Sequence, residues 1–450
     1  MRFIYKITSS IIALLFISTC YCQVNSVQID SIINSAIQID GPGVIVYLKK
    51  GDSVFYENAF GKSNIELNVN MTTKNVVNIA SVSKEFTAIS ILQLIEKGKL
   101  SFEDKLNSFI PNYSKNGDNI KIKHLLSHTS GLKSHTDTIW ANTDARKYFN
   151  STLEVINYFK KDTIKFQPGE RHDYSNINFN ILAYIIEKVS GLTYTEYIEK
   201  NILEPLEMTN TTIPNEGELI MNQATGYEFK DGKMVHARYH SVNQTRGSSS
   251  IHTTVEDLSK WYDGLMQSKV ISRETLQKAW SPYQLNNGDL SQYGYGFYND
   301  QKFNKTAIFH NGFIFGYSTS DLYFPEDELL ILVVSNISDI TVINTNALIF
   351  NIAASVYNDN SPKISVDLLD TYVGFYKMND GFRAKIYREG LQLFISVDGQ
   401  PANKLFPESQ SLFVVKDFPA KAEFIPASGN QMNIILSMGP DRFQGVKEKK

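Results

Sequence analysis

The chain has 450 residues, of which 42% are hydrophobic and 20% charged, with a formal net charge of −3. A domain usually takes about 100–200 residues, so this length predicts two domains, one of them large. A weakly acidic chain whose only basic run is the tail Lys447-Glu448-Lys449-Lys450 gives no electrostatic reason to expect a nucleic-acid partner, and a solvated terminus accounts for the tail.

The N-terminus reads as an export signal over residues 1–22. Arg2 and Lys6 supply positive charge, and Ile11 to Ile17 supply an apolar run too short to span a bilayer. Cys20 and Cys22 place small side chains at the −3 and −1 positions of a cut before Gln23. That cut removes both cysteines, leaves no disulfide or thiol chemistry, and takes the net charge from −3 to −5 through the loss of Arg2 and Lys6. The chain is then periplasmic or secreted. In a rival reading, Ile17-Ser18-Thr19-Cys20 serves as a loose lipobox and Cys20 carries a lipid anchor. No later stretch is apolar for long enough to form a transmembrane span.

Val44 to Lys49, the turn Gly51-Asp52 and Val54 to Phe60 predict a β-hairpin. A helical pattern follows from Ser81 to about Lys97, with Phe86, Ile89, Leu92 and Ile95 at helical spacing and Gly98 as the stop. Further helices are predicted over Asn178 to Val189 and Tyr194 to Ile202. Thr193 with Glu196 makes a capping box for the second. Strand character returns at Ala307 to Phe309, Ser318 to Phe324 and Leu329 to Ser335, and an apolar helix over Val342 to Val356 closes the unit. Strands at both ends of a mostly helical block predict an α+β domain over residues 23–357, in which one antiparallel sheet is flanked by helices. A linker at 358–365 contains Asn358-Asp359-Asn360-Ser361-Pro362. Beyond it, residues 366–450 show short strands with turn signals at Glu389-Gly390, Asp398-Gly399, Ser428-Gly429 and Gly439-Pro440, the pattern of a small all-β sandwich or barrel.

Three short motifs can carry chemistry. Ser81-Val82-Ser83-Lys84 opens a helix, so Ser81 and Lys84 share one face and the amine can activate the hydroxyl. The free N–H groups of a helix start suit a developing oxyanion. Ser130-Gly131-Leu132-Lys133 fits the same pattern without a helix behind it. Tyr174-Ser175-Asn176 sits on a predicted loop after Phe166-Gln167-Pro168-Gly169. A tyrosine beside an ammonium titrates lower than usual and can act as a base, and an asparagine amide can both donate and accept. His310-Asn311-Gly312 comes at the predicted end of an apolar strand, where Gly312 allows close backbone approach and His310 can bind a substrate carboxylate or hydroxyl. An unperturbed imidazole titrates near about 6.5, so a preference for carboxylate-bearing substrates would grow as the pH falls toward about 6. His124 and His128 are spaced like metal ligands on a helix. Leu125 stands where a zinc peptidase carries glutamate, so no metal is expected, and nothing calls for a cofactor. No Gly-x-Ser-x-Gly elbow is present.

The three motifs, in this order and about 90 and about 135 residues apart, resemble those of the serine β-lactamase and penicillin-binding superfamily. The likeness is greatest to the branch with class C β-lactamases, D-alanyl-D-alanine carboxypeptidases and related esterases. Leu125-Leu126-Ser127-His128-Thr129-Ser130-Gly131-Leu132, Pro205-Leu206-Glu207-Met208 and Tyr293-Gly294-Tyr295-Gly296 match as well. The resemblance implies that Ser81 is the nucleophile and that Lys84 helps deprotonate it. Tyr174 would act as base and then as acid to the leaving group, and Asn176 would orient the acyl chain. Backbone N–H groups of Ser81 and Phe313 would form the oxyanion hole, with His310 and Gly312 lining the substrate site. The third motif departs from the Lys-Thr-Gly of the lactamases; histidine there occurs in peptidase- and esterase-like members. Tyr372-Val373-Gly374-Phe375-Tyr376 opens a region similar to the lipocalin-like domain appended to some of these hydrolases. The implied function is hydrolysis of an amide, peptide or ester bond in a small-molecule or peptide substrate, with β-lactams a further class. The alternative is a protein of the same fold that binds penicillins or peptides without turnover.

Overall fold

The computed structural model describes residues 26–114, 116–134, 149–160, 163–357, 364–389, 392–398, 402–415, 420–427, 431–438 and 441–448. The expected export signal, Cys20, the cut before Gln23 and linker residues 358–363 lie outside the described residues. So do the turn residues Gly390, Gly399, Ser428, Gly429, Gly439 and Pro440.

The first unit is built on a six-stranded antiparallel sheet. Its strands are β1 (Val44–Lys50), β2 (Ser53–Phe60), β3 (Tyr298–Lys302), β4 (Lys305–Ile314), β5 (Tyr317–Phe324) and β6 (Leu329–Ser335). They run in the order β2-β1-β6-β5-β4-β3, so the two ends of the unit meet where β1 pairs with β6. Side chains alternate across a strand. Ile45 and Tyr47 therefore join Leu330, Leu332 and Val334 in a core on one face. Val44, Val46 and Leu48 join Ile331 and Val333 on the other. Both faces are covered, which explains why β5 and β6 are buried at every position and why β6 reads as a continuous apolar run.

Helices α1 (Ser26–Ala36) and α5 (Thr345–Tyr357) cover the second face through Ile29, Ile33, Leu348, Ile349 and Ile352. The helical block covers the first. At its centre runs α2 (Ser83–Glu96), in which every residue from Ser83 to Leu94 is buried. Phe86, Ile89 and Leu92 form one apolar stripe of this helix, and Ser83, Lys84, Glu85, Thr87, Ser90 and Gln93 are buried with it. Gly98, with φ +66°, donates its N–H to the Ile95 carbonyl at 2.9 Å and ends the helix in a conformation glycine adopts without strain. Helix α3 (Asn176–Ser190) packs on α2, and α4 (Val255–Met266) packs on β1 and β6. The Thr193–Glu196 capping box is present, but its α-helix spans only Tyr194–Ile198 before passing into a π-helical turn at Glu199–Leu203.

The C-terminal region is a closed antiparallel barrel of eight strands between Gly374 and Lys447. Tyr376, Ile386, Leu405, Phe413 and Phe424 fill its interior. Among the described residues, no helix is long and apolar enough to cross a membrane.

Candidate active site

Ser81 does not open the α-helix. It lies on a 3₁₀ turn, Ala80–Val82, that leads into α2 at Ser83. Ala80 just before it has φ +49°, a left-handed conformation that costs a residue with a Cβ on the order of 1–2 kcal/mol. Asn78 holds this shape by accepting the Ala80 N–H at 2.7 Å. One helical turn on, Lys84 Nζ lies 2.9 Å from Ser81 Oγ and donates to the Ser248 carbonyl at 2.8 Å. The amine also stands 4.9 Å from the ring centre of Tyr174 and 5.6 Å from that of Phe179. Burial alone pushes the Lys84 amine well below its ordinary range, so the neutral form that can accept a proton is favoured.

Tyr174 presents its hydroxyl to Ser81, and this contact favours the phenolate. Burial outweighs it and holds the phenol well above its usual value. A tyrosine titrating low beside an ammonium was the sequence expectation. The structure reverses it, because burial is the largest influence on the phenol. Asn176 is the first residue of α3, not part of the preceding loop, with Ser175 as the helix N-cap. Its backbone N–H meets Ser134 Oγ at 3.3 Å, while its side-chain Oδ1 is buried without a hydrogen bond.

His310-Asn311-Gly312 is not a turn at a strand end. It lies within β4, with Gly312 opposite Thr319 on β5. A Cβ at position 312 would stand 2.6 Å from the Ser81 nitrogen and 2.7 Å from the Ile79 oxygen. Glycine is required here by space, and its absence of a side chain lets β4 lie against the nucleophile turn. Strand β3 pairs with β4 only as far as Phe309, so the edge of β4 at Phe313 has no strand partner beside Ser81. His310 is 1% exposed. Its Nδ1–H donates to the Asn311 carbonyl at 2.7 Å, which leaves Nε2 to accept from the Tyr293 hydroxyl at 3.1 Å. Burial, aided by Lys84, pushes its pKa down to about 3. The imidazole therefore stays neutral near pH 6, and the pH-dependent preference for carboxylates expected from an unperturbed histidine does not follow.

The second Ser-x-x-Lys match goes elsewhere. Ser130 Oγ donates to Asn178 Oδ1 at 2.8 Å, and Lys133 is exposed. His124 and His128 are not paired as ligands, and among the described residues no group of three or more His, Cys, Asp or Glu could hold a metal ion. His128 instead accepts the Ser175 N–H on Nδ1 at 3.1 Å, and its ring lies against that of Tyr174 with centres 4.1 Å apart and planes tilted by 35°.

Several neighbours of the site were given no role at the sequence level. His128 and Tyr293 lay in stretches that matched the superfamily. Glu85 directly follows Lys84 and Asp321 follows Ser318-Thr319-Ser320, so neither stood out in the sequence. Both are buried behind Lys84 and His310. Glu85 accepts from Trp261 Nε1 at 2.9 Å, and Asp321 accepts the His310 backbone N–H. Burial and mutual repulsion raise Glu85 well above the carboxylate range, and burial raises Asp321 to about 7, so the pair shares protons at neutral pH.

A buried serine beside a desolvated amine and phenol, on a turn that leads into a helix and lies against β4, is a layout that suits nucleophilic chemistry. A family model described as Beta-lactamase matches residues 30–353, and the chain belongs to this family of serine hydrolases. Penicillin-binding protein 4* of Bacillus subtilis (strain 168) is 27% identical over 429 residues, covering 90% of this chain and 94% of that protein. Protein flp of Staphylococcus aureus (strain N315) is 27% identical over 318 residues, covering 69% of this chain and 63% of flp. Among solved structures, the octameric penicillin-binding protein homologue from Pyrococcus abyssi superposes with a TM-score of 0.65 at 23% identity, covering 94% of this chain and all of that one. The D-amino acid amidase from Ochrobactrum anthropi SV3, solved with L-phenylalanine amide, gives 0.63 at 17% identity over 75% of this chain and 99% of that one.

Proposed function

We propose that this protein is an exported hydrolase that forms an acyl-enzyme on Ser81 and cleaves an amide, peptide or ester bond. The observation that carries the reading is Lys84 Nζ at 2.9 Å from Ser81 Oγ, in surroundings that favour the neutral amine. In the first step, the Ser81 proton passes to Lys84 as Oγ bonds to the substrate carbonyl carbon. The N–H groups of Ser81 and Phe313 receive the oxyanion, a placement supported by the contact of Gly312 with the Ser81 turn. The bond to the leaving group then breaks. Tyr174, protonated at the outset, gives its proton to the departing nitrogen or oxygen and recovers one from the Lys84 ammonium. Water attacks the ester by the reverse route. It yields its proton to the same pair, and Ser81 leaves with a proton restored.

Asn176, with its unbound Oδ1, would orient the acyl group. His310 would line the site as a neutral group, so the substrate need not carry a carboxylate. The residues that carry the chemistry all precede position 357, and the barrel serves as an accessory. The test is a panel of D-amino-acid amides and peptides, short-chain esters and β-lactams, with intact-mass detection of the adduct. Turnover with an adduct on Ser81, both lost in Ser81→Ala, is the expected result. Full activity in Ser81→Ala would overturn the reading, and labelling of Ser81 without product release would favour the non-catalytic binding protein. N-terminal sequencing of the exported chain separates a start at Gln23 from a lipidated Cys20.

A further inference from the structure

The segment that carries Tyr174 is held by one residue from an earlier part of the chain. His128 follows the short helix Ile122–Leu126 and is fully buried. Its carbonyl accepts the Asp173 N–H at 2.9 Å, and its Nδ1 accepts the Ser175 N–H at 3.1 Å. The backbone N–H groups of both residues that flank Tyr174 therefore end on His128. Between these two anchors the imidazole packs against the Tyr174 ring, with centres 4.1 Å apart, and Lys84 Nζ stands 4.9 Å from the centre of the same ring. Tyr293 and Phe179 close the imidazole in, their ring centres 4.9 and 5.0 Å away.

Two features of His128 are costly for a residue that only fills space. Its φ is +55°, in the left-handed region that residues with a Cβ avoid. The second concerns its proton. Asn178 Nδ2 stands 3.4 Å from Nδ1 while Asn178 Oδ1 is taken by Ser130, so both groups facing Nδ1 are donors. The proton of the neutral ring then sits on Nε2, which is buried with no hydrogen bond. Leucine would fill the same space without an orphaned N–H of its own, but would leave the Ser175 N–H with no acceptor. Burial, reinforced by His172, Lys84 and His310, pushes the imidazole well below its ordinary range, so Nδ1 remains an acceptor at neutral pH.

We propose that His128 is a positioning residue of the reaction: it fixes the backbone and ring of Tyr174 so that the phenol hydroxyl is held at Ser81 and at the group leaving from it. The inference rests on the reading of Tyr174 as the acid that protonates the leaving group. Two esters of one acid, which differ in their need for that proton, supply the test. Ethoxide does not leave ethyl butyrate without a proton, whereas p-nitrophenolate leaves p-nitrophenyl butyrate unaided. The readout is the ratio of kcat/KM for ethyl butyrate to that for p-nitrophenyl butyrate, measured on the full chain. It covers only the steps up to the acyl-enzyme, and any loss of folded protein cancels from it. Tyr174→Phe sets the scale and should lower the ratio by about 10²-fold or more. His128→Leu should lower it by about tenfold to 10²-fold, and should lower it no further when Tyr174→Phe is already present. His128→Asn puts Oδ1 where Nδ1 stands and tolerates a left-handed backbone, so it should recover most of the ratio. If His128→Leu does not fold, His128→Gln, whose oxygen lies one bond beyond Nδ1, takes its place. A ratio near wild type in His128→Leu or His128→Gln would overturn the inference. So would a further fall in the Tyr174→Phe background, or a His128→Asn variant no better than His128→Leu. If Tyr174→Phe itself leaves the ratio unchanged, the acid role of Tyr174 fails and this inference with it, whereas the adduct on Ser81 is decided separately by intact mass.

Discussion

Lys84→Met separates the chemistry of the site from its contribution to the fold. Methionine keeps the length and apolar bulk of the side chain and removes the amine. The amine makes two hydrogen bonds, to Ser81 Oγ and the Ser248 carbonyl. Each is worth about 0.5–1.5 kcal/mol net, so their loss costs about 1–3 kcal/mol. Against this stands the desolvation of a buried amine, which the variant no longer has to meet. The lowered pKa means that the folded wild type binds fewer protons than the unfolded chain, so the amine costs most stability at low pH, and that cost fades as the pH rises toward about 10.4. Relative to wild type, Lys84→Met should therefore look most stable at about pH 6 and lose ground steadily toward about pH 9.5. Catalysis should fall far more. Loss of a general base removes about 10²–10⁴-fold in kcat, or about 2.7–5.4 kcal/mol of barrier. The assay is hydrolysis of p-nitrophenyl butyrate with thermal melts across the same pH range. More than a tenth of wild-type kcat in Lys84→Met would refute the base assignment, and a melting difference that does not change with pH would refute the lowered pKa.

Gly312→Ala should move β4 or the Ser81 turn, since its Cβ would stand 2.6 Å from the Ser81 nitrogen. A displacement near 1 Å costs about 10²-fold in rate and overpacking costs about 1–3 kcal/mol, so kcat/KM near wild type would show the contact to be soft. The Glu85–Asp321 pair, with raised pKa values, binds more protons folded than unfolded, so stability should fall as the pH rises from about 4 through about 7. Glu85→Gln keeps an acceptor for Trp261 and should raise the melting temperature more at about pH 8 than at about pH 5; an equal or opposite change would rule out a shared proton. His310, held neutral by a pKa of about 3, should leave the ratio of kcat/KM for a free acid and its methyl ester constant between about pH 5.5 and pH 8.5. A ratio that climbs toward low pH would show that the imidazole becomes charged.

Much of this arrangement is local and could be read from the chain. The i, i+3 spacing of Ser81 and Lys84 puts hydroxyl and amine together in the 3₁₀ turn that Ser81 occupies, just as it would in the α-helix expected there. The runs Val44 to Lys49 and Leu329 to Ser335 mark strands because both faces of the sheet are covered, and short strands separated by turn residues mark an all-β unit beyond residue 366. The protonation of the site was not legible, because desolvation is set by everything packed around a group. Lys84 is enclosed by Ser248, Tyr174 and Phe179, which lie far along the chain, and only their convergence drives the amine toward neutrality and the Tyr174 phenol away from it. His310 read as the end of a strand because Asn311 and Gly312 are turn-forming residues, whereas pairing with β5 carries the strand through both of them. The same holds for Glu85 and Asp321, separated by more than two hundred residues. A sequence pattern records which residues can share a face; only the packed structure decides which buried charges lose their water and must take or give up a proton.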